Sequence, residues 1–269
     1  MERFKRALLS FYLRVSSAFS KNGPLDNVFI ATTQKAGSQW LRAIMKDPRV
    51  IQVTGLREFP QRRYEWGEFV RSFPKKTVIP GLYISFELYD EIIKPNNYKT
   101  IYVIRDPRDI VVSWYFSMLK SHVLMGKVGK YRSILKNLSF DEGIHFCIDA
   151  LTIKFAQMRS WAINCDDPNV KIYRFEDIIE SPASSLKDIF LHFGIEIEDR
   201  LVTDILNDYS KEKMRERDLN KRKNSMESHY RKLSSSHKDA FTAEHYDHFY
   251  RVTGDLVKCF GYSENDNFD

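Results

Sequence analysis

Apolar and polar positions fall in blocks along this chain, and the period changes from block to block. Val28-Phe29-Ile30-Ala31 is an unbroken apolar run between Asp26-Asn27 and a glycine-containing loop, the pattern of a strand buried on both faces. Lys99-Thr100-Ile101-Tyr102-Val103-Ile104 and Val170-Lys171-Ile172-Tyr173-Arg174-Phe175 also read as strands, as do the shorter Val50-Ile51-Gln52-Val53 and Thr77-Val78-Ile79. Apolar residues at three- and four-residue spacing predict helices over 38–45, 86–93 (stopped by Pro95), 106–120, 139–161, 182–193, 197–208 and 242–258. Pro107 stands near the start of its helix, where a missing N–H costs nothing. The stretch 54–76, rich in Arg, aromatics and Pro, predicts a short helix and a mobile connection. Residues 121–137, with their Gly and Lys, predict a loop, and the densely charged 210–239 a surface or flexible segment. Strands alternating with helices predict an α/β fold: a mainly parallel sheet covered by helices on both faces. No repeat or linker divides the chain, so one domain over 1–269 is expected.

The pattern of the first 22 residues predicts an amphipathic basic helix. Phe4, Leu8, Phe11, Tyr12, Val15 and Phe19 share one stripe, with Lys5, Arg6 and Arg14 off it. Two readings stay open for 1–19: a helix capping the core, or a peripheral contact with a membrane surface. Arg14 breaks the apolar run too early for a signal peptide. No run approaches the roughly 20 apolar residues of a membrane span.

Composition narrows the picture further. With 269 residues, 43% of them hydrophobic and 14% aromatic, the chain can bury a substantial core. Cys147, Cys165 and Cys259 are too widely spaced for a disulfide framework or a metal motif, and predict reduced thiols in the cytoplasm. The net charge of +6 and pI of about 9.0 suit an anionic nucleotide as well as a nucleic acid, so charge alone does not choose.

The candidate chemistry begins where the first strand ends. Thr32 to Gly37 is a short loop with one Lys and one Gly, and Ser38-Gln39-Trp40-Leu41-Arg42-Ala43-Ile44-Met45 opens a helix. Strand, tight loop and helix N-terminus together form a cradle for phosphate, because free N–H groups and the positive end of the helix dipole converge there. It is P-loop-like but not a Walker A sequence: Lys35 precedes Gly37, the first glycine is absent, and no Ser/Thr follows the Lys to hold magnesium. A second grip follows the strand at 99–104, where Arg105 leaves the strand's carboxyl end and Ser113 lies about two turns into the next helix. A guanidinium and a hydroxyl suit a phosphate monoester.

These pieces resemble the PAPS-dependent sulfotransferases of the soluble, cytosolic type. QKAGSQW (Gln34 to Trp40) is similar to that family's 5′-phosphosulfate loop, commonly PKSGTTW. It keeps Lys35, Gly37 and Trp40 and puts Ser38-Gln39 where the Thr pair stands. YVIRDPRDIVVSWYFS (Tyr102 to Ser117) closely resembles the 3′-phosphate segment YVARNPKDVAVSYYHF, with the Arg-to-Ser spacing intact. Phe175-Glu176-Asp177 matches a strand-turn-helix segment of the family, its acids read as ties for the turn. His229 to Thr242 resembles FRKGxxGDWKNxFT, matching at Arg231-Lys232 and Phe241-Thr242 but with Leu233 for the glycine and the GDW core lost. The likeness runs in order from about residue 27 to 260.

The resemblance implies sulfuryl transfer from PAPS to a hydroxyl of a small or lipid-like acceptor, with no metal and no nucleic-acid partner. It implies that Lys35 stabilises the leaving oxygen and that Lys35, Ala36, Gly37, Ser38 and Gln39 wrap the 5′ end. Trp40 stacks on adenine, and Arg105, Ser113, Arg231 and Lys232 hold the 3′-phosphate.

One family feature is missing. The Lys-Thr-His run that supplies a general base has no counterpart: its slot falls near Leu82 or Tyr83, and the first His is His122. Glu87, just downstream, and His122 are the candidate bases; Tyr83 is a poor one, since a phenol titrates near pH 10. His245 and His248, three apart, lack a third ligand and read as surface residues rather than metal ligands. Two other functions compete: a non-catalytic sulfotransferase-like nucleotide binder, and a nucleotide-dependent kinase, which would need a magnesium pattern the sequence lacks.

Overall fold

The computed structural model describes residues 24–59, 72–122, 124, 126–221 and 236–263. The amphipathic helix expected over 1–19, the aromatic stretch 60–71, and Arg231 and Lys232 lie outside the described residues. Among the described residues, five strands form one sheet: β1 (Asn27–Thr32), β2 (Arg57–Glu58), β3 (Thr77–Leu82), β4 (Tyr98–Ile104) and β5 (Val170–Arg174). Their order is β2-β3-β1-β4-β5. The apolar run expected to be a buried strand is one, with all six residues of β1 buried, and it lies in the middle of the sheet. It pairs in parallel with β3 on one side, Val28 against Val78, and with β4 on the other, Val28 against Lys99. The chain thus leaves β1 between two parallel neighbours, the place where open α/β sheets present ligands to strand ends. The Thr32 hydroxyl donates to the Val103 carbonyl at 2.8 Å and ties the carboxyl ends of β1 and β4 together.

The β1–β3 register slips between Ile30 and Ala31, opposite Pro80 and Gly81. Proline offers no N–H to the ladder and Gly81 has φ +72°, so the pairing breaks there. Among the described residues, β2 pairs with Thr77 and Val78, before that break.

Packing groups the chain into two compact units. One comprises the described residues up to Thr32, Gly37–Val103 and Asp166–Asp208; the other comprises Thr33–Ala36, Ile104–Cys165 and the described residues from Tyr209 on. The first holds the sheet and the helices α1 (Ser38–Ile44), α2 (Pro48–Thr54), α3 (Phe86–Asp90), α8 (Phe175–Glu180), α9 (Pro182–His192) and α10 (Asp199–Asp208). The second is helical, with α4 (Pro107–Phe116) running into a π turn at Ser117–Ser121, then α5 (Val128–Lys136), α6 (Phe140–Ala150) and α7 (Thr152–Asn164). Past Tyr209 it continues with α11 (Lys211–Lys221), α12 (His237–Ala240), α13 (Ala243–Thr253) and α14 (Leu256–Cys259).

Several expectations are corrected. Val50 to Val53 is not a strand but the body of α2. The Asp47 carboxylate caps that helix by accepting from the Arg49 N–H at 2.8 Å, Pro48 occupies the first position, and Gly55 ends it at φ +69°. The end signals outweigh the β-branched run between them. Residues 121–137 are not all loop, because α5 packs Tyr131 against Trp114 and Phe146. The helix expected over 139–161 breaks at Leu151 into α6 and α7, and that over 242–258 breaks at Gly254. Lys211–Lys221 is helical, although the charge density of 210–239 reads as a flexible segment. His245 is no surface residue: it is fully buried, its Nδ1 accepting from the Thr242 N–H at 3.0 Å and its Nε2 donating to the Asp141 carbonyl at 3.1 Å.

Candidate functional site

Between β1 and α1 the chain turns in five residues, two of them left-handed. Lys35 and Gly37 both have φ +76°. The Ala36 N–H donates to the Thr33 carbonyl at 3.3 Å and the Trp40 N–H to the Gly37 carbonyl at 3.0 Å, while the Ala36 side chain is fully buried as the loop's anchor. Two facts require glycine at 37. The backbone is left-handed, and a Cβ there would stand 2.2 Å from the Phe175 ring. Phe175, the first residue of the Phe-Glu-Asp segment, therefore closes on the loop's glycine. Lys35 has a Cβ and adopts the same conformation, which costs about 1–2 kcal/mol. Strain of this kind persists where the surroundings over-determine the backbone, typically at functional sites. Lys35 and Trp40 are half-buried and Gln39 is exposed.

Ser38 opens α1 and is 7% exposed. Its Oγ lies 2.9 Å from the Tyr83 hydroxyl. Tyr83 directly follows β3, and Leu82 before it is fully buried in the strand. So of the two positions where the family histidine would fall, one is core and the other carries a hydroxyl that meets the loop-helix junction. Glu87 lies exposed in the first turn of α3, a helix capped by the Ser85 hydroxyl.

The remaining pieces sit in the helical unit, to which Thr33–Ala36 belongs. Arg105 follows β4, and its Nη1 donates to the Lys35 carbonyl at 3.4 Å, so the structure brings these two expected residues together. Nη2 of Arg105 donates to Asp109 Oδ2 at 3.1 Å. Asp109 Oδ1 accepts from the His237 N–H at 2.8 Å and lies 2.8 Å from His237 Nδ1. Burial pushes the Asp109 carboxyl upward, but the His237 hydrogen bonds and the Arg105 and His237 charges outweigh it. The carboxyl is held well below the usual carboxylate range. Ser113 is 8% exposed on α4. His122 follows the π turn; its N–H donates to the Ser117 carbonyl and its own carbonyl accepts from Arg132 Nη2 at 2.6 Å.

Sequence reasoning did not find Asp109 and His237. Asp109 carries a readable signal, since it stands four residues after Arg105 on a predicted helix. His237 carries none, being 128 residues from its partner. Among the described residues no group of three His, Cys, Asp or Glu is arranged to hold a metal ion.

The family described as "Sulfotransferase domain" matches residues 25–261. Sulfotransferase 6B1 of Danio rerio is 25% identical over 190 residues, 67% of this chain and 60% of that protein. The 3-alpha-hydroxysteroid sulfotransferase of Cavia porcellus is 25% identical over 199 residues, 69% of this chain and 64% of that protein. The chain thus aligns with less than two thirds of either relative's length. Among solved structures, mouse sulfotransferase SULT7A1 complexed with PAP has a TM-score of 0.59 at 16% identity, covering 91% of this chain and 88% of that one. Retinol dehydratase in a complex with retinol and PAP has a TM-score of 0.54 at 17% identity, covering 91% and 86%. Both show the fold.

Proposed function

This chain belongs to the sulfotransferase family, and from that membership we propose that it transfers a sulfuryl group from PAPS to a hydroxyl of a small or lipid-like acceptor, releasing adenosine 3′,5′-bisphosphate. The observation that carries the reading is the 3.4 Å contact between the Lys35 carbonyl and the Arg105 guanidinium. It joins a strained phosphate-type loop to the second anion grip. The donor set fits the cofactor: an ammonium, a guanidinium, hydroxyls and loop N–H groups suit phosphate oxygens. Bound there, PAPS supplies the activated sulfuryl group and the 5′-phosphate on which charge develops.

The Lys35 ammonium neutralises that charge, aided by the N–H groups of Gly37, Ser38 and Gln39 beside Ala36. Trp40 offers a ring for adenine. Arg105 and Ser113, with Arg231 and Lys232, bind the 3′-phosphate. Glu87 takes the acceptor's proton, with His122 as the alternative. No metal enters this scheme.

The acceptor class is an apolar alcohol or phenol, in keeping with the 3-alpha-hydroxysteroid and retinol in the names of similar proteins. The working compartment is the cytoplasm, where the three free thiols stay reduced. No helix among the described residues is long and apolar enough to cross a membrane, and residues 1–19 are left to a peripheral membrane contact or a core cap.

A thermal-shift panel tests the reading. Adenosine 3′,5′-bisphosphate at about 100 times its Kd should stabilise the protein by about 2.7 kcal/mol, and Mg-ATP should not. Stabilisation by Mg-ATP alone would sink it. The buried Leu82 in the histidine slot favours a second reading, a non-catalytic binder. Labelled PAPS with a panel of apolar alcohols and phenols decides: binding without turnover on any acceptor supports that second reading.

A further inference from the structure

The reading above leaves Asp109 without a role, yet its carboxylate is the hub of the second grip. Oδ2 accepts from Arg105 Nη2 at 3.1 Å. Oδ1 accepts from the His237 N–H at 2.8 Å, faces His237 Nδ1 at 2.8 Å, and is approached by the Ser236 hydroxyl at 3.5 Å. This is no solvated surface pair: the side chains of Arg105, Asp109 and His237 are 12%, 15% and 5% exposed. The His237 ring is itself fixed, edge-on to Phe241 and Tyr246. Ser236 caps α12 through a reciprocal pair with Asp239, so the carboxylate grips an ordered helix start. Arg231 and Lys232 precede that start by only a few residues of sequence.

We propose that Asp109 is a positioning residue of the 3′-phosphate site. It locks the Arg105 guanidinium and the start of α12 into one arrangement, so that preference for a 3′-phosphorylated nucleotide depends on a carboxylate that touches no nucleotide. The proposal rests on the reading of Arg105 as a 3′-phosphate ligand. Two physical effects of Asp109 have opposite signs, which makes the role measurable. As a bare charge it repels a phosphate and masks Arg105, so its neutralisation would tighten binding. As an organiser it holds a side chain that otherwise has many rotamers, so its loss weakens binding. Its four contacts to two elements make the second effect the larger.

The test is calorimetric titration of the full chain with adenosine 3′,5′-bisphosphate and with adenosine 5′-phosphate. Asp109→Asn keeps the shape and removes the charge. It should weaken the bisphosphate about tenfold and the monophosphate less than about twofold, the scale of one charge-assisted hydrogen bond. His237→Phe, which keeps the ring packing but loses Nδ1, should weaken the bisphosphate selectively about threefold, and His237→Gln should restore it in part. Mere loss of stability would not move the ratio between the two nucleotides. Unchanged or tighter bisphosphate binding in folded Asp109→Asn overturns the proposal. If that variant does not fold, an unchanged ratio in His237→Phe overturns it. Arg105→Ala separates this from the parent reading. Equal losses for both nucleotides in Arg105→Ala would remove the 3′-phosphate assignment itself. A selective loss there with none in Asp109→Asn would remove only the role of Asp109.

Discussion

Lys35 and Gly37 share one backbone conformation for different reasons, and substitutions separate them. On the proposed reading, Lys35→Ala should cut turnover by roughly 100-fold or more, since it removes the cation which that reading assigns to the leaving oxygen, and should weaken nucleotide binding less. Turnover within a few-fold of the parent would end the reading of Lys35 as the central charge. The strain at φ +76° adds a second readout. Lys35→Gly loses the same ammonium but relaxes the left-handed backbone, so it should be more stable than Lys35→Ala by about 1 kcal/mol in urea. Gly37→Ala meets both penalties: the added methyl would lie 2.2 Å from the Phe175 ring, an overpacking that costs about 1–3 kcal/mol. If that contact is the cause, Gly37→Ala with Phe175→Leu should recover part of the loss in a double-mutant cycle. Strict additivity would put the penalty in the backbone alone.

At the scale of elements, α6 and α13 meet through imidazoles. His145 Nδ1 and His248 Nδ1 lie 2.7 Å apart, and His248 Nε2 lies 2.8 Å from Asp149 Oδ1. One proton bridges the two rings; a second forces two N–H groups against each other. Burial lowers the His145 pKa, and the neighbouring His245 and His248 lower it further, against Glu244 and Asp149. The fold therefore favours neutral His145. A depressed folded-state pKa contributes stability that is complete above the unfolded value of about 6.5 and is lost as pH falls through the folded value. The urea midpoint should drop as pH is lowered from about 7 toward 5, and His145→Gln should flatten that drop. An equal slope in the variant would exclude this pair as the sensor. The same two elements show what sequence periodicity conveys. It supplied the helices themselves, because their apolar stripes are long. It missed the break at Leu151 and the burial of His245, because a break and a buried polar ring are decided by what packs against them. At 48–54 the converse held: local end signals at Asp47, Pro48 and Gly55 were readable but were outvoted by a short β-branched run.

For the whole molecule, the strands β1, β3, β4 and β5 were legible because each rests on one contiguous stretch, whereas β2, two residues long, was not; the roles proposed for Lys35, Gly37, Arg105 and Ser113 rest on equally contiguous segments. Asp109 with His237 was not legible, since its meaning depends on a partner 128 residues away. The segment Arg105-Asp106-Pro107-Arg108 shows the limit most clearly, because two arginines of identical chemistry have separate fates. Arg108 is 2% exposed. Its Nε and Nη2 donate to Asp106 at 3.0 and 2.7 Å, Nη1 reaches the Tyr250 hydroxyl at 3.2 Å, and Nη2 donates to the Ser263 carbonyl at 2.9 Å. It therefore ties the start of α4 to α13 and to the last described residue of the chain. Arg108→Ala removes the guanidinium that balances the Asp106 carboxylate, which is 5% exposed and keeps the N-cap bond from the backbone N–H of residue 108 at 2.9 Å, and should cost about 3–5 kcal/mol. Adding Asp106→Asn removes the uncompensated charge and should return part of that loss. Measured at low temperature, where the variant stays folded, Arg108→Ala should keep the parent's preference for adenosine 3′,5′-bisphosphate over adenosine 5′-phosphate. Arg105→Ala should show the opposite pattern, weakening the bisphosphate by about 2–3 kcal/mol and barely changing the monophosphate. A selective loss of bisphosphate binding in Arg108→Ala would mean that the buried arginine, not the one at the strand end, serves the nucleotide.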